Sequence, residues 1–400
     1  MIKSTNTRID VIDAIRGFAV LGILLANIQS WSAYKFLPFT ELAELPYYSM
    51  DASLYWWNTF LVDSKFYAIF SLLFGVGFGL QWERKQDQAD TFLPTYRRRT
   101  AFLLLFGFLH MLLWSGDILM LYAMLAFIMI ALRELSPRAQ LQSGVALMFF
   151  FLLSHIAALV LGEQQTVNGA LAHKTYPDMS GEAVVAAFAS DSWTTIFEVN
   201  LHNIYWRWYD FLPNGRISRV LGFFLIGCYL ARSGFFTGAA RRASTLLICL
   251  LSGIAMTLAA MHMGLSMSSW ARDPMDLLSK QLYVCGQLLM ALGYMSALAI
   301  AFETRLGRRL MQPLTLIGRT AFTSYLGQTV IGVGVFYGVG LGLIATLGLA
   351  QLSVLALAIY ALQVVFASTW LRYFRQGPVE WGWRCLTAKK LLSNRRKVAG

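Results

Sequence analysis

Residues 100–133 read TAFLLLFGFLHMLLWSGDILMLYAMLAFIMIALR. Two apolar runs flank Trp114-Ser115-Gly116-Asp117, and Arg133 closes the second. A run of this kind crosses a bilayer as a helix, because only then are its backbone polar groups satisfied internally. The pattern predicts a helical hairpin turning at a membrane surface, with His110 deep in its first arm. The rest of the chain is similar in character. Its 400 residues are 57% hydrophobic and 14% charged, with a mean hydropathy of +0.55. Soluble domains run at about 45–50% apolar and about 25% charged. So few charges cannot cover a water-facing surface of this size. A soluble enzyme, a disordered chain and a secreted disulfide scaffold are excluded, and an all-α polytopic membrane helix bundle is expected.

About ten apolar runs follow one another, near 14–32, 60–82, 100–115, 116–133, 142–162, 217–232, 243–263, 280–302, 320–346 and 352–371. The ninth is long and rich in glycine, which predicts a kink or break. The first reads as a retained helix and not a signal peptide, since no cleavage-site pattern follows it. A single membrane domain results, with five spans in 1–162, an external loop at 163–216, five spans in 217–371 and a basic tail at 372–400. With the N-terminus in the cytoplasm, 25 of the 33 basic residues fall inside, as the positive-inside rule requires. Both termini are then cytoplasmic. The external loop interleaves Trp193, Phe197, Ile204, Trp206, Trp208 and Phe211 with Glu198, Asn200, His202 and Arg207. That spacing predicts amphipathic helices lying on the outer surface, over the opening of the bundle.

This sorting also explains the net charge of +12. The excess faces anionic lipid headgroups, the expected partner surface, and argues against nucleic acid. The tail from Arg372 onward carries Trp381, Trp383 and Leu386 among its bases and is expected along the inner interface. Cys228, Cys249, Cys285 and Cys385 are far apart, with neither metal-site nor disulfide spacing, so no metal is expected.

Ionisable residues inside spans are costly unless paired, and so point to function. At the start of span one, Asp13 and Arg16 stand i, i+3 and can pair. Gly17 lets another backbone approach, and Asn27 lies three turns deeper on the same face. These residues outline a cytoplasmic anion pocket. In span two, Lys65 is expected either to snorkel outward or to meet an acid on a neighbouring helix, while Gly75, Gly77 and Gly79 suit close helix packing. His110 is roughly 15 Å into span three, with Asp117 at i+7 and Tyr122 opening the next helix. A histidine at that depth beside an acid is a candidate general base or proton relay. His155 has no acid near it in sequence and reads as structural. Arg219 and Arg319 open spans six and nine, and Arg319 joins the cytoplasmic ring if its helix lies beside Arg16.

These residues resemble the YeiB-like family of bacterial inner-membrane proteins over nearly the whole chain. Four stretches carry the resemblance: Asp10–Asn27 with its Asp-x-x-Arg-Gly signature, Ser64-Lys65-Phe66 through Phe74-Gly75, His110 through Leu119, and Gly318-Arg319 to Trp381. In its first span the family is similar to the transmembrane acyltransferases, which use acyl-CoA to modify glycans. One branch of those enzymes places a catalytic histidine eleven residues after the first-span arginine. Asn27 holds that place here, and residues 28–45 contain no histidine. If the chemistry is kept, His110 takes the part of base.

The resemblance therefore implies an acyltransferase with acyl-CoA as donor co-substrate, held by Arg16, Arg319 and Arg98, and a cell-envelope glycan or small molecule as acceptor. His110, oriented by Asp117, deprotonates the acceptor. The alternative is a transporter or flippase of a small metabolite or lipid, in which His110, Asp117 and Lys65 form a proton-coupled gate.

Overall fold

The first apolar run builds a 29-residue helix, α1 (Lys3–Trp31), in the computed structural model. That model describes residues 3–150, 152–161, 181–211, 214–265, 271 and 273–396. After α1 come the short α2 (Phe39–Leu42), α3 (Tyr48–Leu61), α4 (Lys65–Lys85) and α5 (Ala89–Leu113). The middle of the chain forms α6 (Leu119–Ala131), α7 (Pro137–Met148), α8 (Leu152–Leu161), α9 (Gly181–Phe188), α10 (Trp193–Phe211) and α11 (Arg216–Arg232). The remainder forms α12 (Ala243–His262), α13 (Pro274–Ala301), α14 (Arg305–Leu310), α15 (Gln312–Arg319), α16 (Ala321–Phe336), α17 (Leu349–Tyr373) and α18 (Pro378–Ala388). Two starts are written locally. Ser136 and Asp273 each precede a proline and accept a first-turn N–H, from Ala139 and Asp276, as N-cap residues do. Among the described residues there is no strand, and the fold is all-α.

Helices stand at each of the ten expected positions, and about half are membrane-length by size and composition. Five described segments are long and apolar enough to cross a membrane: Asp10–Trp31, Tyr48–Leu113, Ala243–His262, Pro274–Ala301 and Leu349–Tyr373. A sixth results if α11 and the turn Phe235–Arg241, bent by 50°, count as one. The 66-residue stretch Tyr48–Leu113 holds α3, α4 and α5 and folds back on itself. By contrast α6, with 13 residues, rises only about 20 Å. The ninth run breaks among its glycines, as predicted. Its helix, α16, stops at Phe336, and the glycines beyond return the chain: Leu341 N–H bonds the Gly334 carbonyl at 2.8 Å. Ala345 N–H then reaches the Ser32 carbonyl at 2.9 Å, at the far end of α1.

Glycines set how closely the helices meet. A Cβ on Gly17 would lie 1.9 Å from the Leu314 carbonyl oxygen, and one on Gly318 1.8 Å from that of Asp13. Thus α1 and α15 cross backbone to backbone, as Gly17 led one to expect. In the same way α4 meets α11: Gly75 lies against the Phe224 carbonyl and Gly227 against that of Leu72. Gly79 packs on Ala231 and Cys228. Gly77 does not share this role; it has open space around it and faces a cavity. The segment expected to be external is described from Gly181 on, residues 162–180 lying outside the described residues. Within it, α10 is tied to the end of α5, with Asn200 Nδ2 donating to the Leu112 and Leu113 carbonyls at 3.1 and 3.0 Å.

Gly17→Ala and Gly318→Ala are each expected to cost roughly 1–3 kcal/mol through overpacking. Thermal unfolding in detergent reads this as a lowered Tm. Gly334→Ala, with nothing within 4 Å of its Cβ, should leave the Tm unchanged or slightly raised.

Candidate functional site

The α1–α15 crossing puts two arginines side by side. Arg16 Nη1 donates to Asp13 Oδ1 at 2.6 Å and to the Gly318 carbonyl at 3.2 Å. Arg319 follows Gly318 directly, and both arginines line one cavity of about 710 Å³. Its mouth is finished by residues that were not anticipated. Arg99 comes from α5, and its Nη1 donates to Gln81 Oε1 of α4 at 3.1 Å. Arg375 and Arg384 come from the tail. Five arginines thus face one space. Among the described residues Asp13 and Glu380 are its only lining carboxylates, and each is already engaged, Asp13 by Arg16 and Glu380 by a helix start.

That helix start explains the tail. Glu380 Oε1 accepts the backbone N–H groups of Phe322 and Thr323 at 2.7 and 3.1 Å, and Oε2 accepts the Thr323 hydroxyl. A carboxylate at a helix N-terminus satisfies donors that have no partner within the helix. Trp383 stacks under Arg99 at 4.4 Å and donates its indole N–H to the Arg99 carbonyl at 2.9 Å. The tail therefore folds into the bundle and walls the cavity, where an interfacial segment was expected. Arg98 does not line the cavity; its Nε donates to the Thr387 carbonyl on α18, and its neighbour Arg99 takes the expected place.

Inward, the lining turns apolar, with Phe70, Leu73, Phe74 and Leu103. Tyr122 and Tyr325 close this inner end. Behind Tyr325 lies His110, their ring centroids 5.2 Å apart. His110 Nδ1 is 2.8 Å from Asp117 Oδ1 and Nε2 is 2.8 Å from Thr329 Oγ1. A carboxylate only accepts, so Nδ1 carries the proton, and in the neutral ring Nε2 accepts from the Thr329 hydroxyl. Asp117 Oδ2 accepts the Met120 N–H at 2.8 Å, which fixes the carboxylate at the start of α6. All three side chains are buried. An acid, an imidazole and a hydroxyl in this order is the geometry that activates a hydroxyl.

The expected residues thus divide. Arg16, Asp13, Arg319 and Tyr122 share the arginine cavity. His110 and Asp117 pair as expected but stand one aromatic ring outside it, because both imidazole nitrogens are turned to Asp117 and Thr329. Asn27 is half-buried on α1 and lines no described cavity, since three turns along α1 carry it past the crossing. Lys65 neither snorkels nor meets an acid. It is fully buried, and its Nζ donates to the Thr59 carbonyl at 2.7 Å and to the Tyr283 hydroxyl at 3.0 Å. Thr59 and Tyr283 line a second, smaller cavity at the other end of α4, with His155 in its wall. Thr329 was missed in sequence. Its signal was faint: a polar residue at i+4 from Tyr325 on the buried face of α16.

Residues 230–390 match a family described as "Protein of unknown function (DUF418)". The chain is also similar to three curated bacterial proteins over nearly its full length. It is 28% identical over 406 residues to the uncharacterized protein YxaH of Bacillus subtilis (strain 168), covering 96% of this chain and 95% of that one. With the uncharacterized protein YeiB of Escherichia coli (strain K12) it shares 28% over 412 residues, 94% of this chain and 96% of the other. The third is an uncharacterized 39.9 kDa protein from the amylase 3' region of Bacillus acidopullulyticus, 28% identical over 382 residues, 96% and 94% of the two chains. No solved structure matches the chain significantly. Over nearly its full length the chain is thus similar to uncharacterized YeiB- and YxaH-type proteins, and its long apolar helices are those of a membrane protein.

The buried triad makes a stability prediction apart from any chemistry. Thr329→Val leaves His110 Nε2 unsatisfied and should cost about 1–3 kcal/mol, while Thr329→Ser should retain most of the stability. Chemical or thermal unfolding of the two variants measures the difference.

Proposed function

We propose that this protein is a membrane-embedded acyltransferase that receives an acyl-CoA-class donor in the arginine cavity, with both termini in the cytoplasm of the bacterial inner membrane. The observation that carries the reading is the convergence of Arg16, Arg99, Arg319, Arg375 and Arg384 on one cavity with an apolar inner end. A head with several phosphates calls for several guanidinium groups, whose forked donors suit phosphate oxygens. The acyl chain would lie against Phe70, Phe74 and Leu103, bringing the thioester toward Tyr325. There the acceptor hydroxyl attacks the thioester carbonyl, its proton passes by way of the Thr329 hydroxyl to His110 Nε2, and the CoA thiolate departs. Asp117 holds the imidazole in the tautomer that can accept that proton. Tyr325 must turn aside for His110 to reach the cavity, so donor binding and ring movement are coupled. The acceptor, a cell-envelope glycan or small molecule, approaches from the outer side.

Passage of an anionic solute across the membrane is the second reading. It is favoured by the two basic cavities at opposite ends of α4, which share no lining residue. Carriers need two such vestibules and a barrier between them.

Purified protein is expected to show a saturable rise in Tm with an acyl-CoA. Arg16→Gln and Arg319→Gln should each weaken binding about tenfold or more, as loss of a charge-assisted bond to phosphate implies. His110→Gln should leave binding intact and abolish transfer. Absence of any shift with CoA thioesters overturns the acyltransferase reading, and solute uptake into proteoliposomes would put the carrier in its place.

A further inference from the structure

Lys65 is 0% exposed; its Nζ donates to a carbonyl and a hydroxyl and lies 4.2 Å from the ring of Tyr283, while the nearby Asp63 carboxylate acts on it without forming an ion pair. An ammonium without a carboxylate partner is expensive at this depth. Its two bonding partners, Thr59 and Tyr283, are also the wall of the smaller cavity, of about 210 Å³. Across that cavity stand Arg216 and Arg219, on the first turn of α11. Neither lies within ion-pair distance of a carboxylate among the described residues. Arg216 stacks on Tyr67 and Phe211 at 4.9 and 4.8 Å, and its buried Nε has no hydrogen-bond partner. Arg219 Nη2 donates to the Asn214 carbonyl, which holds the guanidinium at the rim but leaves its charge uncompensated. Lys280 lines the same space, with Asp276 at 3.8 Å behind it. Among the described residues the only carboxylate in the lining is Asp63.

We infer that this cavity is a second anion site, built for a phosphate head group, and that the bound anion is the missing counter-charge for Arg216, Arg219 and, through Tyr283, Lys65. The guanidinium of Arg216 rests against the rings of Tyr67 and Phe211, its Nε is unpaired, and it offers the fork that a phosphate accepts. The Lys65 ammonium donates to the Tyr283 hydroxyl, which in turn donates to the Thr59 and Asp63 carbonyls at 3.1 and 3.2 Å. This chain passes positive potential to the cavity wall while Lys65 itself stays out of contact, so Lys65 is a positioning residue. The volume is below the roughly 300–1,000 Å³ of pockets that enclose a whole drug-sized ligand, so the site takes the head of a molecule. That head is a phosphate mono- or diester, supplied either by a soluble phosphomonoester or by an anionic phospholipid. The site lies at the opposite end of α4 from the arginine cavity and does not depend on what the larger cavity binds.

The test uses the full chain in detergent, in an Arg16→Gln/Arg319→Gln background so that the larger cavity contributes little. The Tm is followed against glycerol 1-phosphate and against short-chain phosphatidylglycerol, with glycerol and short-chain diacylglycerol as uncharged counterparts. A saturable rise with at least one phosphate compound and none with its uncharged counterpart is expected. Adding Arg216→Gln or Arg219→Gln should raise the half-saturating concentration about tenfold or more, and Arg216→Lys should recover part of it. Response to the monoester assigns a soluble source, and response to the phospholipid alone assigns a lipid headgroup. No rise with either compound, or a rise undiminished in both glutamine variants, overturns the inference.

Discussion

The crossing of α1 and α15 is the constraint on which the rest of the site depends. Two glycines allow two backbones to touch, the Leu314 carbonyl filling the space of a Gly17 side chain and the Asp13 carbonyl that of Gly318. In an apolar medium helices gain little from hydrophobic burial against one another, and close backbone approach is a main source of cohesion. The residues next to these glycines are Arg16 and Arg319. The same contact that holds the helices together therefore places two guanidinium groups at one opening. Tyr360 strengthens it, donating its hydroxyl to the Gly17 carbonyl at 2.9 Å.

A second arrangement sits around the first. The chain returns from α17 and lays α18 against the start of α16, where Glu380 takes up free backbone donors and Trp383 supports Arg99. The tail thereby converts an open groove into a cavity with a polar mouth and an apolar inner end. At that inner end Tyr325 separates the cavity from the Asp117–His110–Thr329 triad, and the spacing of α5 and α16 is set partly by that triad. The tail, the cavity and the triad thus follow one another, Tyr325 standing between the last two.

Much of this was legible in the sequence, for definite reasons. Apolar runs of helical length exposed the bundle, and the low charged fraction made Arg16, Lys65, His110 and Asp117 visible against it. The His110–Asp117 pair could be read because both lie on one short hairpin. Local spacing does not carry contacts across the chain. Arg319 meets Arg16 through an encounter separated by 303 positions in the chain, and Arg99, Arg375 and Arg384 looked like ordinary charges flanking a membrane. Thr329 was hidden because a lone threonine in an apolar helix commonly bonds its own backbone. Asn27 misled for the opposite reason: helical periodicity placed it on the face of Arg16, while the cavity ends before reaching it. The ten apolar runs outnumber the five long apolar segments among the described residues, because α6 and α16 are apolar yet short and a hydropathy reading takes their flanking turns as helix.

The central claim is that the five arginines form one binding site for a phosphate-bearing acyl donor. Equilibrium binding of a long-chain acyl-CoA to purified wild-type protein, measured across a range of salt concentrations, tests it most directly. The account predicts saturable binding that weakens steadily as salt rises, since charge pairing with phosphate is screened, and that is displaced by CoA itself. Binding that is insensitive to salt and unaffected by CoA would contradict it, because the acyl chain alone would then be holding the ligand.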